Sequence, residues 1–485
     1  MRIDISLKHF GKNAVVYAIG KVGLRAASFL LIPLYTHFLS VSDYGLFATL
    51  LITIQIMDIL MSMGMIVCLV RFTKEYEDNN QIECLLGTTT IINFLGGLIV
   101  TSITFLFLVP FFRNVLHTYN VHKYLILLCC ASLVQSLSNH IISYYRARNE
   151  ALKFMIINIS AAAILIIFNI ILLLVFNLGI IGALWAFIIT YTAIFLYVLF
   201  DVLSKTGFVI SLLLIPKFIR FGFPLIFSMS GQFVIGGASI YFLSYFVGLK
   251  IVAIYSLGYK LAQVLAITTI LPFQSAFQPY VFTNLNRTGI KEKISRLLTY
   301  LVLSITFMSF SILLGSRIVL PLIAPPEYSS AFLVILLLLP GMAFIGIYYF
   351  GETILNAVQK TYIIGITVTI FALFSILLNY LLIPVMNWYG AVITLNISYS
   401  MAGFTLLIIS LKKFPIPIEW KRVCIAGGLI LFFLFVFFFV RDFNILLFSV
   451  ITLLTAFAVL LMLFKFRFFY GNEIIVIKNL ILKLR

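Results

Sequence analysis

Lys21 and Arg25 stand four residues apart in the apolar run that opens the chain, and Lys260 stands in another such run near its middle. A four-residue spacing places two side chains on one face of a helix. Cations held there have one evident chemical use, the electrostatic stabilisation of an anion. Asp58 is the clearest carboxylate inside an apolar run, with Gln55 three residues earlier on the same helical face. It either neutralises a basic residue or serves as a proton or cation coupling site. Gln263 follows Lys260 by three residues, and Gln274 and Gln278 fall within the Pro272–Pro279 stretch. These amides either contact hydroxyl groups, as on a sugar, or bridge helices by hydrogen bonds. Glu352 and His140 fall near the ends of apolar runs, where a solvated position is expected. No HExxH, paired acidic motif, GxSxG or phosphate-binding loop is found, so no catalytic residue, ATP site or cofactor is assigned and the chain does not read as an enzyme. The five cysteines form no CxxC or Cys/His cluster, so neither a metal site nor a disulfide framework is indicated.

The elements that must carry these side chains follow from composition. Of the 485 residues 63% are hydrophobic and only 10% charged, and the mean hydropathy is +1.17. A soluble domain carries roughly 25% charged residues, so the surplus apolar area must face lipid. Backbone groups in lipid must be satisfied within the segment. The apolar runs are about 20–27 residues long and do not alternate, which selects helices over barrel strands. The first of them is too long for a cleaved signal peptide. About fourteen spans are predicted, near 12–38, 43–70, 86–112, 122–145, 152–177, 179–203, 218–247, 250–282, 296–320, 329–351, 361–384, 388–411, 421–440 and 444–465. Pro33, Pro224, Pro272, Pro340 and Pro384 fall within or at the ends of spans, where they permit bends.

Sorting Lys and Arg by side of the membrane orients the layout. With the N-terminus in the cytoplasm, about 25 fall in cytoplasmic segments and about five on the opposite side. The asymmetry persists to the C-terminus, which predicts an even number of spans with both ends cytoplasmic. The net charge of +18 is spread through these short loops, a topology signal rather than a nucleic-acid footprint. Lys21, Arg25 and Lys260 are the basic residues left over inside spans. Arg25 lies about 18 Å beyond Asn13 along a helix, near the bilayer centre, and Lys260 about 15 Å below the outer end of its span. A cation at the centre costs on the order of 2.5–3.5 kcal/mol. Lys21 is near enough to the cytoplasmic end to snorkel; Arg25 and Lys260 call for a protein interior or a wet cavity.

The chain also repeats itself. Phe10-Gly11, Gly20 and Tyr44 are matched by Phe221-Gly222, Gly231 and Tyr255, each 211 residues later. The segment GALWAFIITY from Gly182 matches GAVITLNISY from Gly390, 208 residues later. Six spans separate the copies, so both begin on the same side, a parallel repeat. The expected organisation is a six-helix lobe over 1–205, a second over 206–412, and two extra helices with a basic tail over 413–485. The cations then share one simple location, the cleft between lobes.

The opening stretch NAVVYAIGKVGLRAASFLLIPLYTHFLSVSDYGLF resembles the start of the polysaccharide biosynthesis protein family, the Wzx-type O-antigen flippases. FGFPLIFSMSG with YFLSYFVGLKIVAIYSLGYKL and FQSAFQPYVF resembles the start of that family's second lobe, and LNYLLIPVMNWYGAVITLNISY its late asparagine-rich helix followed by a Gly-Ala helix. The resemblance implies the multidrug/oligosaccharidyl-lipid/polysaccharide exporter fold, with two lobes around a V-shaped, alternating-access cavity. It implies transfer of undecaprenyl-diphosphate-linked oligosaccharide between leaflets of a bacterial inner membrane, for O-antigen, capsule or exopolysaccharide synthesis. Its implied partners are that glycolipid, membrane lipid, and the polymerase and other proteins of the same pathway. Family members commonly carry cavity cations, a role Lys21, Arg25 and Lys260 fit by position. The rivals are an exporter of the same fold for lipid-linked peptidoglycan precursor or drugs, and a membrane glycosyl polymerase. A cationic cleft disfavours cationic drugs.

Overall fold

The computed structural model describes residues 20, 23, 26–79, 81–116, 120–285, 287–440, 443–465 and 468. Among these the secondary structure is helical throughout, with no strand. Twelve segments are long and apolar enough to cross a membrane, and Ala26–Phe38 and Leu447–Val459 are shorter apolar helices. The chain is a multi-pass helical membrane protein. The sequence predicts about fourteen spans; the described residues establish twelve, the shorter pair corresponding to the expected first and last.

The first half of the chain contains α1 (Ile32–Phe38), α2 (Val41–Ser62), α3 (Met65–Asp78), α4 (Ile82–Phe107), α5 (Val109–Leu116), α6 (Val121–Ala147), α7 (Ala151–Ile170) and α8 (Gly179–Thr206). The second half contains α9 (Ile215–Gly237), α10 (Ser239–Phe246), α11 (Leu249–Ala262), α12 (Leu271–Asn284), α13 (Ile290–Ile323), α14 (Ala331–Ala357), α15 (Thr361–Met386) and α16 (Trp388–Lys413). Two further helices follow, α17 (Trp420–Val440) and α18 (Ile445–Lys465). Within the first half α6 packs along α8 and α2; within the second, α16 packs along α14 and α15. Between halves the broadest contact joins α2 to α11.

Several spans predicted as single helices are broken, each for a local reason. The 43–70 span divides between α2 and α3 at Met63 and Gly64, both with left-handed backbone (φ 47° and 75°). Gly64 also lies against the backbone of Gly222: a Cβ there would sit 2.4 Å from the Gly222 carbonyl oxygen. The bend is therefore fixed by packing between the halves, and a side chain would force them apart. The 218–247 span divides at Ala238 into α9 and α10. In the 250–282 span, α11 leads into a π turn at Ala266–Ile270, and Pro272 opens α12. One inserted residue rotates every later side chain by about 100° about the axis. The 152–177 span likewise ends in a π turn, Ile171–Val175.

The last helices are built onto the second half. Phe310 of α13 packs on Phe433 of α17 with ring centroids 4.8 Å apart, and Phe437 on Phe448 of α18 at 5.3 Å. Thr306 donates to the Ala426 carbonyl at 2.8 Å. At the start of α17, Arg422 donates to Glu419 at 2.7 Å, and Thr299 of α13 donates to the same carboxylate at 3.0 Å.

Candidate functional site

The two halves meet at two levels. Near the start of α2, Gly45 approaches Leu249 so closely that a Cβ would lie 1.9 Å from the Leu249 carbonyl oxygen. Only hydrogen at that position admits the contact. Thr36 donates to the Ile323 carbonyl at 2.5 Å, and Tyr241 donates to Thr53 at 2.9 Å. At the far end of α3, Lys217 of α9 pairs with Glu75 at 3.0 Å. Phe72 packs there between Phe218 and Phe221, with centroids 5.7 and 5.2 Å away.

Lys260 lies in the seam between α2 and α11. Helical Cβ atoms tilt toward the N-terminus, which directs this side chain along α11 toward the Gly45–Leu249 contact. Its ammonium stands 5.7 Å from the centroid of the Tyr44 ring. Tyr44 in turn meets Tyr328 edge-on at 5.8 Å, and Tyr255 stacks on Tyr259 at 6.1 Å. The Tyr44, Tyr255 and Tyr328 hydroxyls are buried without a hydrogen-bond partner among the described residues. No ion pair of Lys260 with a described carboxylate is present. A cation–π contact returns about 0.5–2 kcal/mol, less than the roughly 2.5–3.5 kcal/mol cost of a lysine near the middle of a span. Among the described residues, Lys260 is therefore an under-compensated positive charge between the two halves.

Asp58 sits in a different setting, a polar patch where α2, α4 and α6 meet. Asn139 donates to one carboxylate oxygen of Asp58 at 2.9 Å, and the other oxygen is buried without a partner among the described residues. One turn away Ser136 donates to the Asn93 side-chain oxygen at 2.9 Å, and Asn93 donates back to the Ser136 carbonyl at 3.2 Å. No described base pairs with Asp58, so its role as a charge partner is unmet by Lys260. Gln55 is exposed. Gln263, on the turn after Lys260, is half-buried, as are Gln274 and Gln278 beyond the π turn. Lys21 and Arg25 lie outside the described residues.

Two expectations are corrected. His140 is not solvated: it is fully buried, its Nε2 3.2 Å from the Thr89 hydroxyl and its Nδ1 without a partner among the described residues. Glu352 is half-buried, with one carboxylate oxygen enclosed and unpartnered among the described residues. Neighbouring helices cover both positions, which distance from a helix end cannot reveal.

Sequence reasoning missed a polar face in the second half. Gln232 of α9 donates to the Tyr348 hydroxyl at 3.1 Å. The Tyr399 and Tyr259 hydroxyls crowd the bare face of Gly236, 2.9 and 3.2 Å from where a Cβ would stand. Glu352 follows Tyr348 by one helical turn. The available signal was the Tyr348–Glu352 spacing, which puts a phenol and a carboxylate on one helix face.

The fold defined by these helices is that of membrane transporters. The lipid II flippase MurJ, in an inward closed conformation, superimposes with a TM-score of 0.75 at 14% identity, over 92% of this chain and 97% of that one. The MATE transporter VcmN of Vibrio cholerae matches with a TM-score of 0.63 at 14% identity, over 84% of this chain and 96% of that one. An uncharacterized membrane protein of Methanocaldococcus jannaschii is 23% identical over 403 residues, 77% of this chain and 78% of its own length. The model of the polysaccharide biosynthesis protein family matches residues 10–285. The chain belongs to that family, as its sequence resemblance led one to expect.

Proposed function

We propose that this protein is a flippase that moves polyprenyl-diphosphate-linked oligosaccharide repeat units from the cytoplasmic to the outer leaflet of a bacterial inner membrane. The observation that carries the reading is Lys260, a cation between the two halves compensated, among the described residues, by an aromatic ring rather than an acid. A sugar diphosphate cannot cross hydrocarbon, and a cation at mid-depth stabilises its charge. Lys21 and Arg25 join Lys260 in this role by position, with the lipid tail remaining outside between helices.

The two halves act as lobes that rock about the seam. In support, Asn169 and Asn379, 210 residues apart, play matching parts: Asn169 accepts from Tyr35 at 2.8 Å and Asn379 from Ser239 at 2.9 Å. That offset agrees with the sequence repeat. Asp58 is the coupling residue of this scheme, since among the described residues its partner is neutral and one oxygen is unpartnered. Transport of lipid-linked peptidoglycan precursor is the second reading, favoured by the likeness to MurJ. It uses the same diphosphate chemistry and differs in the glycan.

The decisive experiment reconstitutes the full chain in vesicles with defined polyprenyl-diphosphate glycans and follows their appearance in the opposite leaflet. Transfer of oligosaccharide repeat units in preference to peptidoglycan precursor supports the proposal, and the reverse preference selects the second reading. In cells, Arg25→Ala should abolish polysaccharide display while the protein inserts at normal levels. Normal display would remove Arg25 from the mechanism.

A further inference from the structure

A crevice of about 480 Å³ opens between α12 and the start of α13, apart from the seam that holds Lys260. Its two walls differ in chemistry. Phe273, Phe277 and Tyr280 line it from α12 at spacings of four and three residues, one continuous helical stripe. Phe273 and Phe277 stack at 5.0 Å, and Phe277 stacks on Phe350 of α14 at 5.0 Å, so this wall is rigid. Lys293 and Arg296 line it from α13, three residues apart on one face. Both side chains are exposed. Arg296 lies 3.9 Å from Glu419, a carboxylate that bonds Arg422 more closely at 2.7 Å. Among the described residues Lys293 forms no ion pair.

Depth in the membrane identifies the occupant. The 34 residues of α13 make a helix about 51 Å long, against a hydrocarbon core of about 30 Å. Roughly 10 Å therefore projects at each end. Lys293 and Arg296 lie about 5 and 9 Å from the start of α13, at the level of lipid phosphates. Tyr280 and Phe273 lie about 6 and 16 Å from the end of α12, spanning the headgroup boundary and the upper acyl region. The crevice thus pairs two cations at phosphate depth with an aromatic wall at acyl depth, and its volume suits a headgroup with its first chain carbons.

We propose that this crevice is a binding site for an anionic phospholipid of the leaflet on the side of the basic loops. The phosphate sits between Lys293 and Arg296, and one acyl chain lies along Phe273 and Phe277. The occupant is a membrane lipid rather than the transported glycolipid, because neither Lys260 nor any residue of α2 lines the crevice.

The test needs no glycolipid and stands apart from any transport assay. Full-length protein is exchanged into equal amounts of phosphatidylglycerol and phosphatidylcholine, and retained lipid is counted by native mass spectrometry. The wild type should retain phosphatidylglycerol preferentially. Lys293→Gln should weaken that preference about fivefold, the effect of one lysine at an anionic surface. Ala276→Trp, which fills the crevice without changing charge, should remove the bound lipid. Lys291→Gln, whose ammonium stands over Phe414 instead, should leave the preference intact. Equal retention of the two lipids by the wild type overturns the proposal, as does unchanged retention in Lys293→Gln. So does stronger retention of undecaprenyl diphosphate than of phosphatidylglycerol in a parallel competition, which would make the crevice a substrate site.

Discussion

Replacing Lys260 by methionine should make the protein more stable and less active at once. Methionine matches the length of the lysine stem and fills the same space with an apolar, flexible chain. The lysine carries a burial cost of about 2.5–3.5 kcal/mol and recovers about 0.5–2 kcal/mol from the Tyr44 ring, so its removal should stabilise the fold by about 0.5–3 kcal/mol. The same change removes a charged partner for the substrate diphosphate. A hydrogen bond to a charged group contributes about 1.5–3 kcal/mol, so transport efficiency should fall about 10- to 150-fold. The assays are thermal unfolding of the purified protein and glycolipid transfer in vesicles, both compared with Lys260→Arg. The arginine variant keeps the charge and the cation–π contact and should retain transport. A lower melting temperature for Lys260→Met would show that the amine holds the seam together. Unchanged transfer would show that it never meets the substrate. Either result refutes the reasoning, because only a functional charge is expected to be retained at a cost in stability.

Other variants test the remaining parts. Asp58→Asn should leave stability within about 1 kcal/mol, since a carboxamide oxygen still accepts from Asn139. It should abolish transfer driven by an ion gradient while passive equilibration of the glycolipid continues; loss of both would assign Asp58 to the fold or to substrate binding. Gly45→Val should separate α2 from α11, because a Cβ would stand 1.9 Å from the Leu249 carbonyl oxygen. In a background with the native cysteines replaced, a Leu249→Cys probe should then react faster with a membrane-impermeant maleimide. Unchanged labelling would mean that the halves do not close through this contact.

The candidate site was legible in part, and the division has a clear cause. Lys260 and Asp58 stand out in the sequence because an ionisable group in an apolar run is costly wherever the run packs. What each touches was not legible. Tyr44 lies 216 residues before Lys260, and nothing local says that its ring replaces a carboxylate. The expected solvation of His140 and Glu352 failed for the same reason: cover supplied by neighbouring helices leaves no local trace.

By itself the sequence determined the solvent, the secondary structure and most of the span positions. These follow from apolar runs of membrane length, a property each segment carries alone. Tertiary structure decided where those helices break and which of their polar groups meet. Met63 and Gly64 bend because Gly222 lies against them, and α2 joins α11 because Gly45 admits the Leu249 carbonyl. Both depend on backbone-to-backbone approach between distant segments, which periodicity within one segment cannot encode.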